Sequence, residues 1–261
     1  MPRWAAFAAL ALAVLAFVLF SARASQRVVT DLAAERRPRP HAGERPDADH
    51  PDATGQPDTG SGPEEPSSMA LLANVGISHA LFASVLVAGV WITDVPPAAL
   101  GIGVGATGVA AVGIGIGVGA GIAAVNTLLG SLIEADPGAA LRALLTPEST
   151  SGWIVLLAVV LPVIAGFEEL LFRAILIGGF SAGFGISPWL LSIGASAAFA
   201  AGHGAQGRLG IAVTGALGLV LAAVFVATES LLIVVVAHYV INAVEFVLGG
   251  IGYDPLEPAR S

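Results

Sequence analysis

A cluster of charged residues lies in the middle of a long apolar run. Glu168, Glu169 and Arg173 are the only charged residues between Trp153 and Phe180. A charged side chain at the centre of a bilayer costs about 2.5–3.5 kcal/mol, so three uncompensated charges would cost roughly 7–10 kcal/mol. Charged groups that an apolar helix retains at this cost usually face the protein interior, and they are candidates for a functional site.

Helical geometry gives the two carboxylates different roles. At about 100° per residue, Glu169 and Arg173 lie on nearly the same face of a helix. The glutamate is on the N-terminal side, which is the better order for an ion pair. Glu168 points about 140° away from Arg173. We therefore expect Glu169 to neutralise Arg173, and Glu168 to remain a free carboxylate that can act as a base.

Two later apolar segments supply further polar groups. One ends in Phe199-Ala-Ala-Gly-His203, and the last contains His238-Tyr-Val-Ile-Asn242. His238 and Asn242 are four residues apart and share a helix face. A free carboxylate, two histidines and an asparagine are the groups needed to activate water and to stabilise an oxyanion. An inert polar network that holds the helices together is the alternative interpretation.

The composition places these segments in a membrane. The 261 residues are 56% hydrophobic and 11% charged, and the mean hydropathy is +0.85. These values are outside the range of soluble globular domains. The absence of cysteine excludes disulfides and thiolate chemistry. All 11 basic residues are arginines and the net charge is −8, so no basic patch indicates nucleic-acid binding.

The hydrophobic segments predict an all-α, polytopic transmembrane helix bundle of about seven spans, six of them in the core domain. Residues 1–24 form either a retained helix or a signal peptide, because Ala22-Arg23-Ala24 fits a cleavage site. Residues 25–68 are rich in proline and charge, and we expect a disordered acidic linker. The membrane domain covers residues 69–251, with a short amphipathic helix at 138–145, and residues 252–261 form a tail. Its expected spans are residues 69–93, 98–133, 153–180, 187–203, 209–228 and 231–251.

The arginines predict the orientation of the bundle in the cell membrane. Outside the span that holds Arg173, every arginine except Arg3 falls on one side of a seven-span protein. Loops rich in arginine stay in the cytoplasm. We therefore expect a cytoplasmic C-terminus.

Three spaced motifs resemble those of a known family. They are Glu168-Glu169-x-x-x-Arg173, Phe199-x-x-x-His203 and His238-x-x-x-Asn242. In this order they resemble the motifs of the CPBP family, the CAAX proteases and bacteriocin-processing enzymes also called the Abi family. The resemblance covers about residues 69–251. It implies an intramembrane endopeptidase that acts on membrane-associated or prenylated-type protein substrates.

The resemblance also implies a role for each motif residue. Glu168 would be the general base on water, assisted by His203. His238 and Asn242 would polarise the scissile carbonyl and hold the oxyanion. The supporting residues would be Glu169, Arg173 and Phe199. To act together, Glu168, His203 and His238 must lie at the same depth in the membrane. His203, however, is at the end of its predicted span.

The sequence leaves open whether a metal takes part in catalysis and whether the protein is an enzyme at all. If a metal binds, Glu168, His203 and His238 would form a zinc set of two histidines and one carboxylate. No His-Glu-x-x-His motif is present, and we favour hydrolysis without a required cofactor, with zinc as the alternative. The expected partners are a protein or peptide substrate and the lipid bilayer. A non-catalytic membrane scaffold or immunity-type protein of the same fold is the second functional hypothesis, and a proton-relay transporter is the third.

Two other polar residues in the spans have structural interpretations. We expect Asn126 to make a hydrogen bond between helices and His79 to be a hydrogen-bonded core residue. The many glycines of the span at residues 98–133 indicate close helix packing.

Overall fold

The computed structural model describes residues 1–35, 67–103, 107–133 and 136–251. Within these ranges all regular elements are helical. Short 3₁₀ turns occupy Pro97–Leu100 and Gly204–Gln206. The longer elements, in chain order, are α1 Trp4–Glu35, α2 Ser68–Ile92, α3 Gly108–Ile133, α4 Ala139–Leu145, α5 Thr150–Phe184, α6 Pro188–Gly202, α7 Gly207–Thr228 and α8 Leu231–Gly250.

Length and apolar composition confirm the predicted membrane bundle. In the described ranges, six helices are long and apolar enough to cross a bilayer: α1 in its Trp4–Ala24 part, α2, α3, α5, α7 and α8. The seventh apolar helix, α6, has only 15 residues. At 1.5 Å per residue it is about 22 Å long, whereas the hydrocarbon core is about 30 Å thick. Helix α6 is therefore too short to cross the hydrocarbon core by itself.

Helix α5 forms the centre of the bundle. Every residue from Leu170 to Ile177 is buried, as expected for a helix that is surrounded by other helices. This stretch belongs to a π-helical segment, Leu170–Gly179. An earlier π-helical turn, Leu156–Val160, directly precedes the helical segment with Pro162 near its start. Proline lacks an N–H group and its ring displaces the preceding turn, so the hydrogen-bond ladder is altered at this point.

Helix α1 is packed into the same core as α5. Phe7, Ala11 and Val14 are buried in one cluster with Phe167 and Phe172. The spacing of the three α1 residues follows one face of a helix. Whether residues 1–24 are retained in the mature protein stays a prediction.

Helix α1 extends beyond the predicted first segment, to Glu35, whereas its apolar part of membrane length ends at Ala24. Residues 25–35 contain neither glycine nor proline, and most of them are tolerated in a helix. The remainder of the predicted linker, residues 36–66, lies outside the described residues. The predicted tail, residues 252–261, also lies outside them.

Glycines bring α3 and α8 into close contact. A Cβ atom added at Gly119 would lie 2.6 Å from the carbonyl oxygen of Ala237, and one at Gly115 would lie 2.7 Å from Cβ of Val236. Gly117, on another face of α3, has no such neighbour within 4 Å. The expected packing through small residues is therefore confirmed, and only some of the glycines take part in it.

A polar cluster joins α3, α4 and α8. Asn126 donates a long hydrogen bond of 3.5 Å to Oε1 of Glu245, which confirms its expected role between helices. Arg142 of the predicted amphipathic helix pairs with Asp136 and lies 3.8 Å from Glu245. The cluster fixes the short helix α4 against the C-terminal part of α8.

His79 has the structural contacts expected of it. Its Nδ1 donates to the carbonyl oxygen of Val75 at 2.8 Å within α2. Its ring meets the ring of Phe167 edge-on, with 5.2 Å between the centroids. The half-buried imidazole thus helps to pack α2 against α5.

Candidate active site

The side chains of Glu168, His203 and His238 meet between α5, α6 and α8. Nε2 of His203 lies 3.9 Å from Oε1 of Glu168, and Nε2 of His238 lies 3.5 Å from Oε2. The two imidazoles therefore approach different oxygens of one carboxylate. The exposed fraction of the side chain is 13% for Glu168, 26% for His203 and 4% for His238. The cluster is largely enclosed and opens on the His203 side.

The short helix α6 brings His203 to the depth of the other two residues. His203 is the residue that follows Gly202, at the C-terminal end of α6. Nε2 of His203 lies 3.9 Å from Oε1 of Glu168, so this end of α6 reaches the level of the cluster. His203 therefore lies at the same depth as Glu168 and His238, although it is at the end of α6.

The tautomer of His203 follows from its backbone contact. Nδ1 of His203 lies 2.9 Å from the carbonyl oxygen of Phe199. A carbonyl oxygen only accepts, so Nδ1 carries the hydrogen, and in the neutral ring Nε2 has the lone pair. This lone pair is on the nitrogen that faces Glu168. His203 can therefore accept a hydrogen bond from a water molecule beside the carboxylate.

Glu169 is the ion-pair partner of Arg173, as predicted. Oε1 of Glu169 lies 2.8 Å from Nη1 of Arg173, and the side chains are 0% and 2% exposed. The same oxygen accepts a 2.7 Å hydrogen bond from Nδ1 of His238. Because that bond orients the ring, Nε2 is the nitrogen that faces Glu168. Glu169 thus contacts both Arg173 and His238 through one oxygen.

Phe199 packs against the charged groups of the cluster. Cζ of Arg173 lies 4.7 Å from the centroid of its ring, at the distance of a cation–π contact. The ring centroids of His203 and His238 lie 4.6 Å and 6.0 Å from it. Phe199 is 1% exposed. This ring excludes water from one side of the polar cluster.

A backbone carbonyl of α7 completes the surroundings of Arg173. Nη2 of Arg173 donates to the carbonyl oxygen of Gly218 at 3.2 Å. Reasoning from the sequence missed this contact, because a glycine among apolar residues has no pattern that marks its carbonyl as a ligand.

Asn242 lies one turn beyond His238 on α8. The side chain is half-buried, and its carboxamide has no hydrogen-bond partner among the residues that the structure describes. The spacing of four residues puts it on the face of α8 that carries His238. Its N–H groups remain available to a ligand.

The alternative zinc set would consist of Glu168, His203 and His238. Among the described residues, no group of three or more His, Asp or Glu side chains is placed to hold one metal ion. The His203 and His238 nitrogens lie 3.9 and 3.5 Å from the Glu168 oxygens. Gaps of this size also accommodate a water molecule about 2.8 Å from both partners.

Comparison with known families agrees with the motifs. Residues 150–244 match the family model described as type II CAAX prenyl endopeptidase Rce1-like. This stretch is Rce1-like. It begins with α5, ends within α8 and includes all the motif residues from Glu168 to Asn242. No curated protein and no solved structure matches the chain.

The Rce1-like match confirms the resemblance to the CAAX protease family. It supports a CAAX-type intramembrane endopeptidase in general, carried by a multi-pass membrane protein. The match leaves out α1 to α4, which therefore belong to the bundle by their packing and not by this similarity.

Proposed function

We propose that the protein hydrolyses a peptide bond of a membrane-associated protein, with Glu168 as the general base. One observation carries the proposal: the two imidazole Nε2 atoms lie 3.5 and 3.9 Å from different oxygens of the enclosed Glu168 carboxylate. A carboxylate and a histidine that both face one small space can orient and deprotonate a water molecule.

The first step forms the new carbon–oxygen bond. Glu168 takes one proton from the water while His203 accepts a hydrogen bond from its other O–H group. The water oxygen attacks the scissile carbonyl carbon, and the electron pair of the C=O bond moves to the carbonyl oxygen. The product of this step is a tetrahedral oxyanion beside α8.

His238 and Asn242 would stabilise that oxyanion. Nδ1 of His238 donates to Glu169, so a second N–H group exists at Nε2 only when the ring is protonated. Glu168, Glu169 and Arg173 together carry one net negative charge, and a protonated His238 would make the cluster neutral. Its Nε2–H and the carboxamide of Asn242 would then donate to the oxyanion.

The second step breaks the peptide bond. When the tetrahedral intermediate collapses, the carbonyl re-forms and the carbon–nitrogen bond breaks. The carboxylic acid of Glu168 returns its proton to the leaving nitrogen. Glu168 ends the cycle as a carboxylate, so no further acid or base is consumed.

The position of the cluster supports a substrate that reaches it from the membrane or its boundary. His203 is the most exposed of the three central residues, so water and the scissile bond would enter on its side. Membrane-associated or prenylated-type proteins have the required location. We further propose that hydrolysis needs no metal, since Glu168 and His203 are by themselves able to activate a water molecule, and that the C-terminus is cytoplasmic.

Comparative membrane proteomics tests the proposal. Glu168→Gln keeps the size of the side chain and removes the base, so we expect uncleaved substrate to accumulate and its new N-termini to disappear. His238→Ala should have the same effect through the loss of oxyanion stabilisation. Glu148→Gln is the matched control, because Glu148 is exposed and lies outside the cluster.

Two outcomes would contradict the proposal. If Glu168→Gln membranes contain the same protein N-termini as the wild type, Glu168 is not the base. If neither Glu168→Gln nor His238→Ala changes any terminus, the non-catalytic scaffold is favoured. In every case the variants must be present in the membrane at the level of the control.

A further inference from the structure

A side chain of α1 contacts the turn that follows His203. With its carboxamide oxygen facing the turn, Gln26 accepts hydrogen bonds from the backbone amides of Gly204 and Ala205, at 2.9 and 2.7 Å. Gln26 is half-buried. It belongs to the part of α1 that lies beyond the predicted end of the first span and outside the Rce1-like stretch.

This turn determines where His203 lies. The N–H group of His203 donates to the carbonyl oxygen of Ala200 at 3.0 Å, and the carbonyl oxygen of His203 accepts from the amide of Gln206 at 3.0 Å. The chain changes direction here from α6 to α7, through Gly204–Gln206. Amides at such a junction need acceptors. The carboxamide oxygen of Gln26 accepts hydrogen bonds from two such amides, those of Gly204 and Ala205, which directly follow His203.

The residues of the turn leave space for Gln26. A Cβ atom at Gly204 would overlap the Gln26 carboxamide, and the three heavy atoms nearest to it all belong to that group. Just before His203, Gly202 lies close to α1, since a Cβ atom added there would be 3.8 Å from Cδ2 of Leu19. The small residues on both sides of His203 therefore bring α1 against the end of α6.

We infer that Gln26 is a positioning residue for His203. Helix α1 therefore contributes to the geometry of the candidate active site. The inference rests on the proposed function, because it assigns Gln26 a role in the same hydrolysis. Gln26 acts through the backbone of Gly204 and Ala205, and it does not touch the reacting atoms. Loss of the two hydrogen bonds frees the turn and moves His203 relative to Glu168.

Three variants of the full-length protein test the role. Gln26→Leu keeps the volume and removes the acceptor, and we expect a loss of about 10- to 100-fold in Glu168-dependent cleavage, the effect of a displacement of about 1 Å. Gln26→Glu keeps an acceptor oxygen and should retain cleavage near the wild-type level. Leu19→Ala is the matched control, since it removes an apolar contact beside Gly202 without removing either hydrogen bond.

The readouts separate positioning from general stability. Cleavage is measured as the protein N-termini that are present in wild-type membranes and missing from Glu168→Gln membranes. Amide hydrogen exchange in detergent follows residues 203–207. We expect faster exchange at this turn in Gln26→Leu, unchanged exchange in α3, and restoration of both readouts in Gln26→Glu.

The possible failures are distinguishable. Unchanged exchange or unchanged cleavage in Gln26→Leu overturns the inference, as does an equal loss in Gln26→Leu and Gln26→Glu. Faster exchange throughout α3 as well would show a general loss of stability, which also overturns it. If wild-type and Glu168→Gln membranes have identical termini, the proposed function fails first, and the catalytic role of Gln26 fails with it.

Discussion

Replacing Glu169 by glutamine would leave the charge of Arg173 buried without its partner. The substitution preserves the shape of the side chain and an oxygen that can accept from His238. Arg173 would keep the carbonyl of Gly218 and the face of Phe199, neither of which carries a negative charge. We expect Glu169→Gln to reduce stability strongly and to reduce cleavage as well, because the protonated His238 that is proposed to stabilise the oxyanion would lose the negative charge beside it.

The geometry sets the magnitude. At 2.8 Å between Arg173 and Glu169, the gross Coulomb attraction is about 6 kcal/mol at an effective dielectric constant of about 20. Removing one partner of a buried pair generally costs about 3–5 kcal/mol. The more exposed pair of Arg142 and Glu245 is separated by 3.8 Å, and pairs of that kind contribute about 0–1 kcal/mol. Glu245→Gln is therefore the matched control.

Unfolding by SDS in detergent micelles, followed by circular dichroism, measures the free-energy difference. We expect Glu169→Gln to lose about 3–5 kcal/mol and Glu245→Gln to lose no more than about 1 kcal/mol. The double variant Glu169→Gln/Arg173→Met removes the unpaired charge, so it should be more stable than Glu169→Gln alone. The reasoning is refuted if Glu169→Gln costs less than about 1 kcal/mol, or if the double variant is less stable than the single one.

Three further predictions concern packing, metal dependence and orientation. Gly119→Leu should reduce both stability and cleavage, because the new side chain would collide with Ala237 beside His238. Gly117→Leu should be close to the wild type in both properties. Equal thermal unfolding temperatures of the two variants would contradict this. A strong zinc chelator should leave Glu168-dependent cleavage unchanged, and loss of cleavage that zinc alone restores would disprove metal independence. A phosphatase that is active only outside the cytoplasm should be inactive when fused to the C-terminus, and an active fusion would reverse the proposed orientation.

The sequence predicted the features that depend on local geometry and on the membrane. Long apolar runs have few alternatives to helices in a bilayer, because each backbone polar group must be satisfied within the segment. The pairing of Glu169 with Arg173 follows from a spacing of four residues in a helix. Both predictions are confirmed by the structure.

The end of α1 was harder to predict. The composition changes after Ala24, but a change from apolar to polar residues does not by itself end a helix. The next helix-breaking residue is Pro38, and α1 continues to Glu35. Gln26 was therefore assigned to a linker, although it lies on a helix that contacts the turn after His203.

By itself, the sequence determined the chemistry that the protein carries: one free carboxylate, two histidines and an asparagine on apolar helices, in the order of a known family. Only the tertiary structure decided which atoms meet. The hydrogen bond between His238 and Glu169 joins residues 69 positions apart, and the carbonyl of Gly218 reaches Arg173 across 45 positions. Such contacts depend on how helices cross and on how short α6 is, and neither property is local to any motif.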